Sequence, residues 1–413
     1  MRIILILDMT FTLKMYRDRQ LQQALDSLKL GGYFDRVISV HPLAGLFETG
    51  DSRFGDSIIT QLNESHIFIE GKIGACKFLR FMPPLNFLLA QIKLIKILIL
   101  LARETKVDVI RIGDPYYLGI IGLFLKNVLR VPLVIRVGFR FDDIFRVTGR
   151  AVNPRLFRYR WVEKLIERFV FPRCDLIAGA NEDNMRYGLE NGGRLEAATV
   201  FRYGNLIHPN HWQEPSGRET ADDALAVFGL LGQSFAMTVA RLEPMKCVED
   251  AIRAVAELRN RGQLFKLLLV GDGSMRKDLG DLAYSLGAAE EVIFAGNQTQ
   301  EWLAKVLPKA RVILSPHMGR ALTEAALAGV PIVAYDYDWQ REVVIEGETG
   351  YLVPHKDWMG LADKAQYVLT HPDIGMKLGK NIRNKALEMM NPARLERHEQ
   401  SEYTKLLERL ALC

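Results

Sequence analysis

The sequence predicts an α/β protein built from two Rossmann-like domains. Apolar runs alternate with amphipathic helical stretches almost throughout, which is the pattern of a parallel sheet with crossover helices. That pattern stops at a polar, turn-rich stretch and then restarts, and 413 residues exceed what one hydrophobic core usually serves. Apolar residues make up 49% and charged residues 25%, ordinary values that set aside disordered, collagenous and fibrous classes.

Taken in order, the opening "MRIILILDMTFT" has an apolar run over 2–7 broken by Asp8, with no small-residue cleavage site. It reads as a first buried strand and not as a signal peptide, so the mature chain is expected to begin there. Further strand-like runs fall at 36–40, 107–112, 133–137 and 176–179. Between them "LNFLLAQIKLIKILILLAR", residues 85–103, is long enough for a membrane span, but two lysines at its centre would be costly there. Asn86, Lys93, Lys96 and Arg103 fall in one helical stripe, so the segment reads as an amphipathic helix. Its lysine stripe meets either water or an anionic membrane surface.

The break is "HPNHWQEPSGRETADD", after which "FAMTVAR", "FKLLLVGDG", "EVIFAG", "ARVILSP" and "VPIVAYD" form the second set of strands. The expected layout is a first domain over 1–210, a linker over 211–232, a second domain over 233–390, and a closing helix over 391–413 that packs back across both. The formal charge of +5 is small and no block of like charges reads as a nucleic-acid arm. The four cysteines show no CxxC pair and no Cys/His spacing, which argues against a zinc site or a disulfide framework. A cytoplasmic setting is expected, with peripheral contact at the inner face of the membrane as the alternative use of the lysine stripe.

Parallel sheets take ligands beyond the carboxyl ends of their strands, where helix N-termini offer free N–H groups. In "VARLEPMKCVEDAIRA" a strand ends at Ala240 and a helix starts near Val248, leaving Arg241 and Lys246 in the loop. A guanidinium fork and an ammonium there suit a diphosphate, the alternative being two solvated surface cations. "LLLVGDGSMRKDL" adds Gly271 and Gly273, which permit close backbone approach but also suit a tight βα connection. It lacks the third glycine of a dinucleotide fingerprint and the Lys-Ser/Thr of a P-loop.

The ordered series "VARLEPMK", "LLLVGDGSMRKDL", "VIFAGNQT", "ILSPHMGRALTEAALAGVPIVAYD" and "EVVIEGETGYLVP", over about 236–355, resembles the donor-binding domain of the family 4 glycosyltransferases. In the first domain "VDVIRIGDPYYLGIIGLFL", "VPLVIRVG", "CDLIAGANEDN" and "FRYGNLIHPNHW" resemble that family's acceptor domain in layout. The resemblance implies the GT-B fold, two Rossmann-like domains facing each other across a cleft. It also implies an enzyme moving a sugar, with retention, from a nucleotide diphosphate sugar to an acceptor. A cell-envelope polysaccharide or a lipid-linked glycan is the acceptor class implied by analogy; a non-catalytic nucleotide-sugar or glycan-binding protein of the same fold is the alternative. The donor is a substrate, and no cofactor and no metal are expected.

The family's donor residues carry over by position. The resemblance gives Glu324 the two ribose hydroxyls, which an ionised carboxylate can accept together, although an acid at a helix start is also what the helix dipole favours. The preceding loop, His317 with Gly319, Arg320, Ala321 and Leu322, would set backbone N–H groups against diphosphate and sugar, and Glu342 aligns with an acid near the donor end. Three positions depart from the family: Pro316 replaces a second acid, Gly138 and Phe139 stand where a histidine is usual, and "DMTFT" replaces a glycine pair. Asp114, Tyr116 and Tyr117 in "RIGDPYYLG" and Arg140, Asp142 and Asp143 in "GFRFDDIFR" lie past strand ends, where they could orient an acceptor hydroxyl or simply form turns and caps. Thr10 and His41 join them on the acceptor side. "YDYDW" contains a DxD pattern, but in this fold cations and helix dipoles serve the diphosphate.

Overall fold

A computed structural model describes residues 1–8, 11–18, 25–203, 206–215 and 221–411. Its strands are β1 (Ile3–Leu7), β2 (Arg36–His41), β3 (Ile58–Asn63), β4 (His66–Glu70), β5 (Val109–Ile112), β6 (Leu133–Val137), β7 (Leu176–Gly179), β8 (Ala198–Val200), β9 (Phe235–Val239), β10 (Lys266–Val270), β11 (Val292–Gly296), β12 (Val312–Ser315), β13 (Ile332–Tyr335) and β14 (Gly350–Val353). The chain divides into two compact units, Met1–Leu206 with Pro392–Cys413, and Ile207–Asn391.

The first unit holds an eight-stranded sheet ordered β3-β4-β2-β1-β5-β6-β7-β8. Only β3 is antiparallel to its neighbour. Because side chains alternate across a strand, each central strand serves two cores. Leu5, Ile38, Ile110 and Ile135 face Leu94 and Leu98 of the Pro83–Thr105 helix and Ile121 and Leu125 of the Tyr117–Leu129 helix. Ile4, Ile6, Val37, Val109 and Val134 face the other way, onto Tyr403 and Leu406 of the Pro392–Ala411 helix. Tyr403 meets Phe34 and Phe201 with ring centroids 5.1 and 5.8 Å apart, so the closing helix is seated within this unit.

The hairpin β3–β4, the short β8 and β14 are strands that the apolar-run reading does not pick out. β3 is an edge with its residues exposed or half-buried, so it carries no apolar run to read. The Pro83–Thr105 helix forms as expected, with one correction. Asn86 lies on its buried face with Ala90, Leu94 and Leu98. Its Oδ1 accepts from Ala75 N at 2.6 Å and Cys76 N at 3.0 Å, tying the helix to the loop before it.

The second unit holds six parallel strands ordered β11-β10-β9-β12-β13-β14. Counted within the unit this is 3-2-1-4-5-6, the order in which the chain reverses direction across the sheet between its first and fourth strands. Leu267, Leu269, Leu314 and Val333 pack under the Val248–Asn260 and Trp358–Thr370 helices.

Candidate functional site

In the second unit the reversal lies between β9 and β12, and a crevice forms beyond the carboxyl ends of two strands whose loops diverge there. The β9 loop carries Arg241 and Lys246, and the β12 loop carries residues 316–320 ahead of the Ala321–Leu327 helix. The two loops meet. The Lys246 Nζ lies 3.9 Å from where a Cβ on Gly319 would stand. His317, nearly buried, bridges them, with Nδ1 2.8 Å from Met245 O and Nε2 3.1 Å from an Asp338 carboxylate oxygen. Burial holds the Lys246 pKa below the usual lysine value; the Asp338 carboxylate opposes this and the like charge of Arg241 adds to it. An anion between the two cations would relieve that repulsion, while in the following helix Leu322 N already donates to Gly319 O and Thr323 N to Arg320 O, each at 2.9 Å.

Gly271 and Gly273 are explained by the protein itself. A Cβ on Gly271 would stand 1.9 Å from Ala240 O, and one on Gly273 would stand 2.4 Å from Leu242 O. Leu242 N donates to Asp272 O at 3.0 Å and Met275 N to Leu242 O at 2.9 Å, so the two loops zip together backbone to backbone. The close approach expected of these glycines is therefore to the loop bearing Arg241, which it positions.

Glu324 sits in the first turn of the Ala321–Leu327 helix and is buried. Burial raises its pKa, opposed by the Arg320 guanidinium, whose Nε lies 3.6 Å away, and by a hydrogen bond with Gln300. Gln300 is held in turn by His211 at 2.9 Å. Arg320 is half exposed, Ala321 half-buried and Leu322 fully buried, the Leu322 N donating to Gly319 O at 2.9 Å. Glu342 is half-buried in the Gln340–Val343 helix. Gln340 donates to the Pro316 carbonyl at 3.1 Å, bracing the β12 loop from behind.

The first unit has its own cavity of about 300 Å³ at the carboxyl ends of β1, β2, β5 and β6. His41, Asp8, Arg111, Arg136, Tyr203 and Glu399 are among its walls. His41 is buried, its Nδ1 without a hydrogen-bond partner among the described residues, and stacked on Phe68 at 4.6 Å; burial pulls its pKa below the ordinary imidazole value against the Asp8 charge. Of the acceptor residues expected from sequence, His41 alone lines this cavity. Thr10 lies outside the described residues.

The others are engaged by partners within the first unit, Tyr116 and Asp114 buried and Arg140, Asp142 and Asp143 half-buried. Tyr116 is fully buried, its hydroxyl donating to Glu167 and accepting from Arg160 Nη1 at 2.8 Å. Asp142 pairs with Arg160 at 2.7 Å and Lys164 at 2.7 Å. Arg140 is held by Glu190 at 2.7 Å and Asp183 at 3.5 Å, and Asp143 pairs with Arg146 at 2.8 Å. Asp114 is buried just ahead of the Tyr117–Leu129 helix and accepts from Tyr116 N at 2.7 Å, closing the turn that leads into it; its carboxyl is pushed up to about 7, mainly by burial. For Tyr116 and Asp142 the cause is the Arg160–Val170 helix, whose Arg160, Lys164 and Glu167 bring charges that nearby polar groups satisfy; Arg140 and Asp143 are held by ion pairs elsewhere in the first unit.

Residues 227–385 match the family described as "Glycosyl transferases group 1". The chain is 27% identical over 264 residues to the alpha-D-kanosaminyltransferase of Streptomyces kanamyceticus, covering 62% of this chain and 66% of that one. It is 35% identical over 154 residues to a D-inositol 3-phosphate glycosyltransferase of Rhodococcus erythropolis, covering 34% and 35%. The chain thus spans less than two thirds of the length of the sequence relatives it matches. Among solved structures, Anabaena Alr3699/HepE in complex with UDP and glucose superposes with a TM-score of 0.71 at 18% identity, over 98% of this chain and 100% of that one. The sucrose-phosphate synthase of Thermosynechococcus elongatus gives 0.71 at 17% identity, over 99% and 100%. The fold is that of the GT-B glycosyltransferases.

Within this GT-B chain, the cavity residues missed in the sequence left a signal. Arg111 in "VIRI" and Arg136 in "LVIRV" are charged side chains inside strands otherwise buried on both faces. A cation at such a position implies an internal polar space.

Proposed function

We propose that the protein is a glycosyltransferase that moves a sugar from a nucleotide diphosphate sugar to a hydroxyl acceptor, with retention of anomeric configuration. The observation that carries this reading is the meeting of Arg241, Lys246 and the Gly319 loop at the reversal point of the second sheet. As the bond between sugar and diphosphate breaks, negative charge grows on the leaving phosphate, and cations fixed before the reaction stabilise that charge most. In this reading Glu324 holds the ribose and the first turn of its helix the phosphate and sugar. The acceptor falls to the first unit's cavity, where a neutral His41 has a nitrogen available for a hydroxyl. The Anabaena neighbour's complex with UDP and glucose favours a uridine nucleotide as the first donor to try.

A lipid-linked or envelope glycan acceptor would bring the protein to a membrane, and the first unit suits that. Residues 77–173 hold 19 Lys and Arg against 7 Asp and Glu. Phe78 and Phe81 ahead of the Pro83–Thr105 helix are 89% and 80% exposed, and Leu88, Ile92 and Leu100 on its outer face are exposed beside Lys93 and Lys96. Aromatic and aliphatic side chains among cations suit an anionic bilayer surface.

The test is to incubate the full chain with a panel of nucleotide sugars and measure nucleotide diphosphate release with and without lipid-linked and free glycan acceptors. Acceptor-dependent release with one donor is expected. Binding of the diphosphate with no release under any pairing would favour the non-catalytic alternative.

A further inference from the structure

We propose that the start of the Val248–Asn260 helix is a binding site for a borderline divalent transition metal, zinc being the fit, formed by Cys247, Glu249, Asp250 and His355. The thiol of Cys247 and the carboxylates of Glu249 and Asp250 offer ligand atoms that all lie within 4.8 Å of one another. From more than a hundred residues away the fold adds His355, whose Nε2 stands 3.9 Å from the Cys247 Sγ. A thiolate and an imidazole bound tetrahedrally to zinc at about 2.3 and 2.0 Å sit about 3.5 Å apart, so little movement is needed.

The independent sign of a missing ligand is Glu249. Its Oε2 is buried and has no hydrogen-bond partner among the described residues. Asp250 is already oriented, accepting from Tyr335 Oη at 2.8 Å and Arg253 at 3.1 Å, so it either ligates or braces the site. The His355 ring is stacked on Tyr337 at 4.2 Å and 12°. His355 is exposed, which gives an ion a way in. Cys247 also adopts φ +49°, a left-handed conformation unusual for a side chain other than glycine, asparagine or aspartate. Sulfur and imidazole select zinc over magnesium or calcium, which prefer all-oxygen sites. On binding, the thiol gives its proton to solvent as the sulfur–metal bond forms.

Cys247 directly follows Lys246, so an ion here would pin the end of the loop that bears the diphosphate cations; that consequence alone rests on the function proposed above. The experiment needs no nucleotide. In the full chain carrying Cys76→Ser and Cys413→Ser, zinc is titrated in competition with a chromophoric chelator, and cobalt(II) is added in parallel. We expect one zinc equivalent and a thiolate-to-cobalt charge-transfer band in the near ultraviolet. Cys247→Ser should abolish the band, and Glu249→Gln and His355→Ala should each weaken zinc about tenfold or more, with unchanged far-ultraviolet circular dichroism. The inference is overturned if no such band forms, or if Cys247→Ser keeps both the band and the affinity.

Discussion

At the scale of single residues, Arg241 and Lys246 carry the functional reading. Arg241→Ala and Lys246→Ala should each slow turnover by roughly 10²–10³-fold, about 2.7–4 kcal/mol of lost transition-state stabilisation, with the circular dichroism unchanged. Near-normal rates in both would refute the clamp. Because burial holds the Lys246 pKa below that of an ordinary lysine, its charge is lost earlier as pH rises, and the rate should fall on the alkaline side at lower pH than a surface lysine would give. Glu324→Gln should weaken a ribonucleoside diphosphate by about 1–3 kcal/mol in calorimetric titration, and a dideoxy analogue far less. Equal effects on the two ligands would leave Glu324 as a helix-start acid held by Arg320 and Gln300. Asp114 gives a pH test of stability. Its folded pKa of about 7 lies above the unfolded value, so between the two the folded state holds the extra proton and stability falls as pH rises. Asp114→Asn should therefore stabilise the protein by at least about 1 kcal/mol at pH 8, in denaturant titrations, and the gain should vanish near pH 4.

At the scale of elements, the helix Arg160–Val170 decides where much of the first unit's polarity goes. Arg160 joins Asp142, Glu163, Glu167, Tyr116 and Tyr187 in one buried cluster. Removing its charge leaves two fully buried carboxylates with fewer partners, Glu167 with Lys164 and the tyrosine hydroxyls and Glu163 with the backbone N–H groups of Val152 and Asn153 alone, so Arg160→Met should cost about 3 kcal/mol, read as a lowered urea midpoint. A change within error would mean that water enters and screens the cluster. The same helix explains why Tyr116 and Asp142 could not be placed from sequence: both follow strand ends, as cleft residues do, and only the packing of a distant helix turns them inward. The loop after β9 was legible because its neighbours are local; strand, two cations and helix follow one another within a few residues. The glycines after β10 were legible as a close approach, but the partner, the backbone of residues 240–242, comes from an adjacent strand.

At the scale of the whole molecule, the charge is unevenly spread, with the basic excess gathered in residues 77–173 around exposed apolar side chains. The full chain should sediment with anionic vesicles at low salt and release as ionic strength rises, since screening acts on exposed charges. Phe78→Ser/Phe81→Ser should weaken binding at all salt concentrations, and Lys93→Glu/Lys96→Glu mainly at low salt. Failure to sediment at low salt would make this face a solvent face only. The chain's own order determined the alternation of strand and helix, the restart that makes two sheets, and the loops that follow β9 and β12, because each depends on neighbours along the chain and on periodicity. What the tertiary structure decided are the contacts that join distant segments: the Arg160 cluster, the cavity of His41 with Arg111 and Arg136, the seat of the closing helix on Phe34 and Phe201, and the meeting of Cys247 with His355. Such contacts depend on strand order and on which face each strand turns to which helix, and a one-residue shift in strand register would send His41, Arg111 and Arg136 to the opposite face of their sheet.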